Sequence, residues 1–456
     1  MPKPTSNIPV TVGDQLEVEV ETLNSSGDGI ARVDGFTVFV PQGLPGDQCK
    51  IEITKTANRY SVARVIERTA PGPHRIDSPC PVFPECGGCR LQDLNYEQQL
   101  YFKAGVVKDN LKHIGKIDWP EPIKAIPAIP VYGYRNKGSF ALEGRGKNLG
   151  IGFFKTGTHE VVDSATCDTL MEPVNAVKEW LRSLISYHHV SIYDETKHMG
   201  FLRNLVIRHS PTTGQSLVGL VTTRGIFKKR FLPDLTKESD LKRLGIVGIL
   251  QNFNAQKSNF ILGSKSKPLW GREYLEDNLV GLKFKISLGS FFQVNPNESI
   301  KLYKLIEEWT HLEKGLIVDA YCGNGGIALW LARAGRKVLG IDEFAPAIED
   351  AKTSAGWNKL NEVQFEAGTL ESHLEGLKEK NIGTLIVDPP RKGLSTHVVE
   401  TIPKLNPPRL IYVSCNPATL ARDLALLTDY SIKDIRVIDM FPQTPHIETA
   451  VLLEKV

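Results

Sequence analysis

The sequence predicts a multidomain α/β protein with a small OB-like β-barrel at its start, an α+β central domain and a doubly wound sheet at its end. Its 456 residues exceed what one ordinary core organises. Short alternating strands with glycine turns fill the first part, and regular strand–helix alternation fills the last. We therefore expect domains at residues 1–70, 71–277 and 278–456.

The composition is that of a globular protein, with 41% hydrophobic and 23% charged residues. There is no apolar run of transmembrane length and the first residues are polar, which predicts a cytoplasmic protein without a membrane partner. The net charge of +3 is too small to indicate a polyanionic partner by itself. In a reducing compartment the seven cysteines indicate metal ligands, nucleophiles or packed thiols. Nothing in the sequence indicates an obligate protein partner.

The first domain reads as a small barrel of short strands. Residues 15–22 and 49–55 alternate apolar and polar side chains, and residues 36–41 form an apolar run between them. Barrels of the OB type often bind oligonucleotides, so this pattern predicts RNA contact. The alternative is a spacer barrel with ordinary surface charge. The order of its segments resembles a TRAM domain, an RNA-binding barrel.

Three cysteines, Cys80, Cys86 and Cys89, follow a C-x5-C-x2-C spacing, and Cys167 is the best remaining fourth thiol. Soft thiolate ligands select zinc or an iron–sulfur cluster. A single C-x2-C unit with a remote fourth ligand favours a [4Fe–4S] cluster over zinc. Spacing alone leaves zinc and a metal-free site as alternatives.

The central domain interleaves basic and aromatic residues, as at 134–137, 207–209 and 227–231. Cations contact phosphates and aromatic faces stack unpaired bases, so the mixture favours single-stranded or looped RNA. A solvated sheet face is the alternative. Residues 93–125 include a helical pattern that is expected to pack on the last domain.

The last domain begins its alternation with a strand at 316–320 and a loop containing Gly323 and Gly325. Glycines let a ligand approach the backbone, and Asp342 at the end of the second strand is suited to accept hydrogen bonds from ribose hydroxyls. The same features serve NAD and S-adenosylmethionine. Two linked strands at the end, 432–439 and 448–453, resemble class I methyltransferases.

Two later strands end in motifs that carry chemistry. Asp388-Pro-Pro-Arg391 fixes a rigid turn, and Ser-Cys415-Asn-Pro places a thiol where open α/β sheets hold their ligands. The first motif is similar to the signature of amino-nitrogen methyltransferases, except for Arg391. A pyrimidine carbon 5 becomes nucleophilic only after addition at carbon 6, which predicts Cys415 as nucleophile and calls for a base, for which Glu448 is a candidate that the pattern alone leaves open. The alternative is a packed thiol.

The assembled motifs, in this order along almost the whole chain, resemble the RNA uracil-C5 methyltransferase family. They are the three cysteines with Gly87-Gly88, Phe291-Phe-Gln293-Val-Asn295-Pro296, Asp319-x-Tyr-Cys-Gly-x-Gly325, the Asp388 and Cys415 motifs and His446-x-Glu448. The chain looks like the branch with a TRAM barrel and an iron–sulfur cluster that acts on 23S ribosomal RNA.

The resemblance assigns roles to residues of this chain. The residues implied to hold a [4Fe–4S] cluster are Cys80, Cys86, Cys89 and Cys167. The residues implied to line the S-adenosylmethionine site are Gln293, Tyr321, Asp342 and Asp388. Cys415 is the implied nucleophile and Glu448 the implied general base. Two positions depart from the family pattern: Asp342 stands beside Glu343 where Glu is frequent, and Thr369 follows Gly368 where an acid is frequent.

The resemblance therefore implies S-adenosylmethionine-dependent methylation of uridine at carbon 5 in 23S ribosomal RNA, through a covalent bond from Cys415 to carbon 6. The alternatives are the same reaction on transfer RNA, methylation of an amino nitrogen of nucleic acid, or a non-catalytic RNA-binding factor.

Overall fold

The computed structural model describes residues 8–144, 146–310 and 314–456. The strands in these ranges are β1 Gln15–Glu19, β2 Thr22–Leu23, β3 Gly29–Val33, β4 Phe36–Val40, β5 Gln48–Ala57, β6 Tyr60–Ala70, β7 Lys124–Ile126, β8 Lys137–Glu143, β9 Gly150–Phe154, β10 Val161–Asp163, β11 Leu202–His209, β12 Ser216–Thr222, β13 Ile246–Phe253, β14 Lys265–Gly271, β15 Tyr274–Leu279, β16 Leu282–Ser287, β17 Leu316–Ala320, β18 Val338–Asp342, β19 Val363–Ala367, β20 Ile382–Val387, β21 Arg409–Ser414, β22 Tyr430–Ile438 and β23 Glu448–Lys455. The α-helices are α1 Tyr96–His113, α2 Glu172–Tyr187, α3 Phe231–Leu235, α4 Glu238–Arg243, α5 Pro296–Thr310, α6 Gly326–Arg333, α7 Ala345–Trp357, α8 Leu374–Lys378, α9 Thr396–Leu405 and α10 Pro417–Leu426. Within the same ranges, no helix combines the length and apolar character needed to cross a membrane.

The first sheet has the strand order β1-β5-β6-β4-β3-β2. Its inward side chains, among them Val38, Ile51 and Ile53, are fully buried in one small core, as the alternating pattern predicts. Asp47, at the entrance to β5, accepts hydrogen bonds from Arg68 and Arg75. Because Arg75 lies beyond β6, these bonds tie this sheet to the segment that follows it.

The central sheet has the order β10-β9-β8-β11-β12-β13-β14, and α2 packs on β11. The aromatic residues predicted to stack RNA bases here are partly misassigned. Phe227 and Phe231 stack on each other inside the hydrophobic core, 5% and 1% exposed. Tyr134 is 1% exposed and its hydroxyl donates to the Pro442 carbonyl. These rings pack in the protein interior and are not available to stack on RNA bases, since a buried ring has no free face.

The last sheet has the order β19-β18-β17-β20-β21-β23-β22-β7. Strands β17 to β21 pair in parallel, whereas β23 is antiparallel to both β21 and β22. This confirms the doubly wound sheet and its two linked final strands. β7 pairs in parallel with β22 at the sheet edge, although it precedes the central sheet in the chain. Hydrophobic clusters cover both faces, so every residue of β20 is buried.

Helix α1 is fixed to this sheet by a buried ion pair. Lys103 Nζ lies 2.5 Å from Asp439 Oδ1 and 3.0 Å from the Phe441 carbonyl oxygen, and the Tyr96 hydroxyl donates to Asp439 Oδ2 over 2.8 Å. Both charged side chains are 0% exposed. Asp439 directly follows β22, so the pair joins α1 to the loop that leads into β23.

Replacing Lys103 with Met is expected to lower the free energy of unfolding by about 3–5 kcal/mol, because it leaves the Asp439 carboxylate buried without its cation. Urea titrations followed by circular dichroism would measure the loss. The double variant Lys103→Met/Asp439→Leu removes both charges and should recover a large part of it. Equal losses in the single and double variants would contradict a structural ion pair.

Candidate active site

Cys415 lies in a short, rigid turn between β21 and α10. The Asn416 amide donates to Ser414 Oγ over 3.1 Å, and the Asn416 side chain caps α10 by accepting from the Ala418 amide over 3.1 Å. Pro417 opens the helix, where its missing N–H costs nothing. The thiol is therefore held in a fixed place at the carboxyl edge of the sheet.

Glu448 begins β23, the strand that pairs with β21. Ser414 is opposite Thr449 in this antiparallel pair, so the residues one step further, Cys415 and Glu448, face each other at the sheet edge. The Glu448 side chain is buried, at 3% exposed, and Cys415 is partly buried. The register brings together the predicted nucleophile and the predicted base, which stand 33 residues apart in the sequence.

Burial and the charges of neighbouring acidic groups raise the pKa values of Cys415, Asp388 and Glu448. Burial raises the pKa of the Cys415 thiol to about 11, with added contributions from the charges of Glu448 and Asp388 and an opposing one from Arg391. Burial, and then the charge of Asp342, raises the pKa of Asp388 to about 7. Burial, and then Asp388, raises the pKa of Glu448 well above its usual range. A cation placed among them would lower all three pKa values.

The thiol opens into a cavity of about 380 Å³ that the catalytic domain and three other parts of the chain enclose. Arg391 and His446 contribute the catalytic-domain wall, with Arg391 Nη2 3.2 Å from His446 Nδ1. The other lining residues come from a barrel turn, the cysteine loop and helix α1: Ser25, Ser26, Gly87, Gly88, Arg90, Val106 and Asn110. A site walled by separate domains is suited to hold part of a large substrate.

The glycine loop between β17 and α6 is tied to Asp342. The Gly323 amide donates to Asp342 Oδ2 over 2.9 Å, and the Phe344 amide donates to Oδ1 over 2.8 Å. Gly325 has φ +81°, and a Cβ there would come within 2.7 Å of the Phe365 ring. In the described ranges, the buried Asn324 Nδ2 has no hydrogen-bond partner. This loop therefore offers an unused donor beside a fixed carboxylate, which fits the polar groups of a nucleoside.

The remaining predicted ligand contacts surround the same loop. Tyr321 precedes it with φ +66°, and Gln293 lies buried in a segment whose Phe291 carbonyl is 3.8 Å from the position of a Cβ on Gly323. Asp388 directly follows the neighbouring β20, and the charge of Asp342 contributes to its raised pKa. The structure thus places Tyr321, Asp342 and Asp388 at one sheet edge, and Gln293 in a segment that passes beside the glycine loop.

The four predicted cluster cysteines line one cavity of about 220 Å³, and none forms a disulfide. Burial raises the pKa of Cys80 and Cys86, and that of Cys89 to about 12, and the charge of Cys167 contributes to each rise. The cavity lining offers four soft sulfur donors with Arg135 beside them, a donor chemistry that fits a thiolate-bound group. Within the described ranges, no three His, Cys, Asp or Glu side chains meet as ligands of a single metal ion.

Sequence reasoning missed how the domains complete the site. The barrel turn at Ser25 and Ser26, and Asn110 of α1, carry no local signal, because their role depends on contacts with distant segments. His446 lines both the Cys415 cavity and the cysteine cavity. The position of His446, two residues before Glu448, is the only feature of the sequence that points to the site, and by itself it indicates a structural hydrogen-bonding role.

Comparison with known proteins agrees with this arrangement. The tRNA (Uracil-5-)-methyltransferase family profile matches residues 250–456, and the TRAM domain profile matches residues 9–66. An uncharacterized RNA methyltransferase of Halalkalibacterium halodurans is 38% identical over 98% of both chains. Another from Listeria innocua is 37% identical over 96% of this chain and 97% of its own.

Among solved structures, the tRNA (uracil-54, C5)-methyltransferase of Pyrococcus abyssi in complex with S-adenosyl-L-homocysteine is similar over the whole chain. It superimposes with a TM-score of 0.76 at 29% identity, covering 96% of this chain and 100% of its own. The full-length relatives, the two matched domains and the strand-end geometry agree. The chain belongs to the RNA uracil-C5 methyltransferase family, and its amino-terminal sheet is a TRAM domain.

Proposed function

We propose that this methyltransferase converts a uridine of 23S ribosomal RNA to 5-methyluridine, with Cys415 as nucleophile and Glu448 as general base. One observation supports the proposal most directly: the register of β21 and β23 brings Cys415 beside Glu448, at the wall of a cavity enclosed by the catalytic domain and three other parts of the chain. Addition at carbon 6 and proton removal at carbon 5 require these two groups close together.

S-adenosylmethionine is the proposed methyl donor, and it supplies an electrophilic methyl group. Support comes from the unused Asn324 donor, from the Asp342 carboxylate fixed under the glycine loop and from the S-adenosyl-L-homocysteine bound to the Pyrococcus abyssi relative. Gln293, Tyr321 and Asp388 would complete the site. Asp342 suits the ribose contact better than Glu343, because Asp342 is tied to the loop while Glu343 is exposed.

The residues of this chain then act in sequence. The Cys415 thiol loses its proton to water, and its sulfur bonds to carbon 6 while the ring electrons move to carbon 5 and the carbonyl oxygen. Carbon 5 would then take the methyl group as the sulfonium–methyl bond breaks and its electron pair stays on the donor sulfur, which leaves as a thioether. Glu448 accepts the carbon 5 proton, the electron pair re-forms the ring double bond, and the thiolate leaves. Arg391, which lines the cavity, would stabilise the negative charge on the base.

The raised pKa values of Cys415, Asp388 and Glu448 bear on when the thiol can ionise. Burial and the neighbouring carboxyl groups favour the protonated, unreactive form of the Cys415 thiol at neutral pH, and the charge of Arg391 opposes them only in part. A sulfonium ion near Asp388 would favour ionisation of Cys415 and Glu448 together. The nucleophile and the base would then be ready only when the methyl donor is present.

The substrate is tested by methyl transfer from labelled S-adenosylmethionine to RNA of a strain lacking this protein. The RNA is then digested and its modified nucleosides are mapped. We expect 5-methyluridine in 23S ribosomal RNA. The second candidate is transfer RNA, which the name of the Pyrococcus abyssi relative favours. Label only in transfer RNA would select that substrate, label on an amino nitrogen would overturn the uridine reaction, and no label would indicate a non-catalytic RNA-binding factor.

We further propose that Cys80, Cys86, Cys89 and Cys167 hold a [4Fe–4S] cluster. Their convergence on one cavity and the preference of iron–sulfur clusters for four thiolates support this. Protein purified without oxygen should contain about four iron and four sulfide per chain. Cys89→Ser should lower both contents, whereas Cys49→Ser, in the TRAM core, should lower neither. Zinc in place of iron and sulfide would select the alternative metal.

A further inference from the structure

We infer that a pocket on the central domain, built around Arg203 and Lys257, binds a phosphate of the RNA strand that extends beyond the target uridine. The inference rests on the proposed RNA substrate and adds a second contact point to it. The pocket has a volume of about 380 Å³ and lies outside the residues that line the Cys415 cavity. Its lining includes His159, Tyr193 and Ser258 besides the two cations.

Arg203 is a buried cation, 7% exposed. Its Nη1 donates to the carbonyls of Asn254 and Gln256 over 2.9 and 2.7 Å, and its guanidinium lies 4.6 Å from the centroid of the Tyr193 ring. No carboxylate pairs with it in the described part of the chain, and its Nε has no acceptor there. A buried cation without a counterion is costly, so the site favours an incoming anion.

Two further donors face the same pocket. Ser258 Oγ is buried and, among the described residues, has no hydrogen-bond partner. Lys257 is the adjacent residue and its side chain is exposed at the pocket rim. A guanidinium, an ammonium and a hydroxyl around one space match the oxygens of a phosphodiester.

One carboxylate, that of Glu195, also lines the pocket, but it is already engaged. Glu195 Oε2 lies 2.7 Å from His159 Nδ1, so one oxygen of the carboxylate is already engaged in a hydrogen bond. His198 is held in turn by the Tyr193 hydroxyl, 2.9 Å from its Nδ1. The free hydrogen-bonding capacity of the pocket is therefore mainly that of the donors, which selects an anion over a cation.

The pocket lies at one end of a band that starts at the catalytic cavity. Arg90 lines both the Cys415 cavity and a neighbouring groove of about 610 Å³ between the TRAM domain and the cysteine loop. Lys155 and Thr156, in the turn after β9, also line that groove, together with Asp28, Glu85 and Asp93; Asp28 pairs with Arg90 and Asp93 pairs with Arg75. The same turn continues to His159 in the pocket. One strand of RNA following this band would contact Arg90, Lys155 and Lys257 in order.

The test measures binding of fluorescent oligouridylates by anisotropy over a series of salt concentrations, with the full-length protein. Oligomers of about 4 and about 16 nucleotides bracket the site sizes of OB-type domains. For the longer RNA, the logarithm of the binding constant falls as the logarithm of the salt concentration rises. Lys257→Ala should make this slope shallower by about 0.7, the value for one lost phosphate contact on a single strand. Binding of the short oligomer should not change.

Lys242→Ala is the matched control, because Lys242 is an exposed lysine of the same domain outside this pocket. Lys257→Arg should retain the wild-type slope, and Ser258→Ala should weaken only the longer RNA. Equal slopes for Lys257→Ala and Lys242→Ala would overturn the inference, and so would equal weakening of both oligomers.

A pocket for a free anion is a separate outcome. If inorganic phosphate saturates the wild type and not Lys257→Ala, while both bind RNA alike, the RNA assignment is overturned. A wild type that binds no RNA would refute the proposed function as well. A wild type that binds with the expected slope but transfers no methyl group would refute only the proposed function.

Discussion

Cys415→Ala is expected to abolish methyl transfer, with a loss on the order of 10⁴-fold or more, as for removal of other catalytic nucleophiles. Without the thiol nothing adds at carbon 6, so carbon 5 stays a poor nucleophile even with donor and RNA bound. RNA containing 5-fluorouridine separates this role from a structural one, because fluorine cannot leave as a proton. The wild type should form a covalent protein–RNA complex, stable on a denaturing gel, that the variant does not form.

Two controls isolate the nucleophile. Cys49→Ala removes a thiol that is buried in the TRAM core and should trap 5-fluorouridine RNA as the wild type does. RNA binding by Cys415→Ala should remain, since the thiol is one of many groups lining its cavity. Trapping by Cys415→Ala would assign the covalent bond to another residue and refute the proposed role.

The pH dependence of alkylation follows from the same geometry. The pKa of Cys415 is about 11, so its rate of reaction with iodoacetamide should rise about tenfold per pH unit above neutrality. Negative charge on Glu448 stabilises the protonated thiol, so Glu448→Gln should lower the pKa of Cys415. The difference in alkylation rate between Glu448→Gln and the wild type should appear at alkaline pH, where Glu448 is ionised in the wild type. Peptide mass spectrometry would report the Cys415 rate separately from the other cysteines.

Local pattern was enough to predict the catalytic sheet. The apolar runs that stop at Asp388 and at Cys415 are β20 and β21, and each motif lies at a strand end as predicted. Pro417 and Asn416 act locally, since one opens a helix and the other caps it. Such features survive in any tertiary context, which is why sequence reasoning found them.

The assembly of the domains depends on contacts that no local pattern encodes. Lysine is almost never fully buried unless it is paired, yet Lys103 is fully buried, because Asp439, 336 residues further along the chain, pairs with it. Phe227 and Phe231 read as base-stacking rings, yet they complete a core. β7 belongs to a sheet whose other strands begin nearly two hundred residues later. Long-range burial decided each of these cases.

Glu448→Gln is expected to permit methyl transfer but to block release of the product. The glutamine amide has nearly the same shape, so the buried position at the start of β23 keeps its packing, but an amide does not accept the carbon 5 proton. The thiolate is not expelled until that proton leaves. Turnover should therefore fall by about 10²–10⁴-fold, the usual contribution of a general base.

The adduct gives this prediction its sharpest test. With unmodified RNA and labelled methyl donor, Glu448→Gln should accumulate a covalent protein–RNA complex that carries the methyl label, and the wild type should not. Glu454→Gln is the matched control, because Glu454 lies on the same strand at its far end and pairs with Arg409. Rapid turnover by Glu448→Gln would exclude it as the base. The proton on carbon 5 becomes removable only after the methyl group has arrived. A trapped complex without label would therefore show that Glu448 acts before methyl transfer and is not the base for that proton.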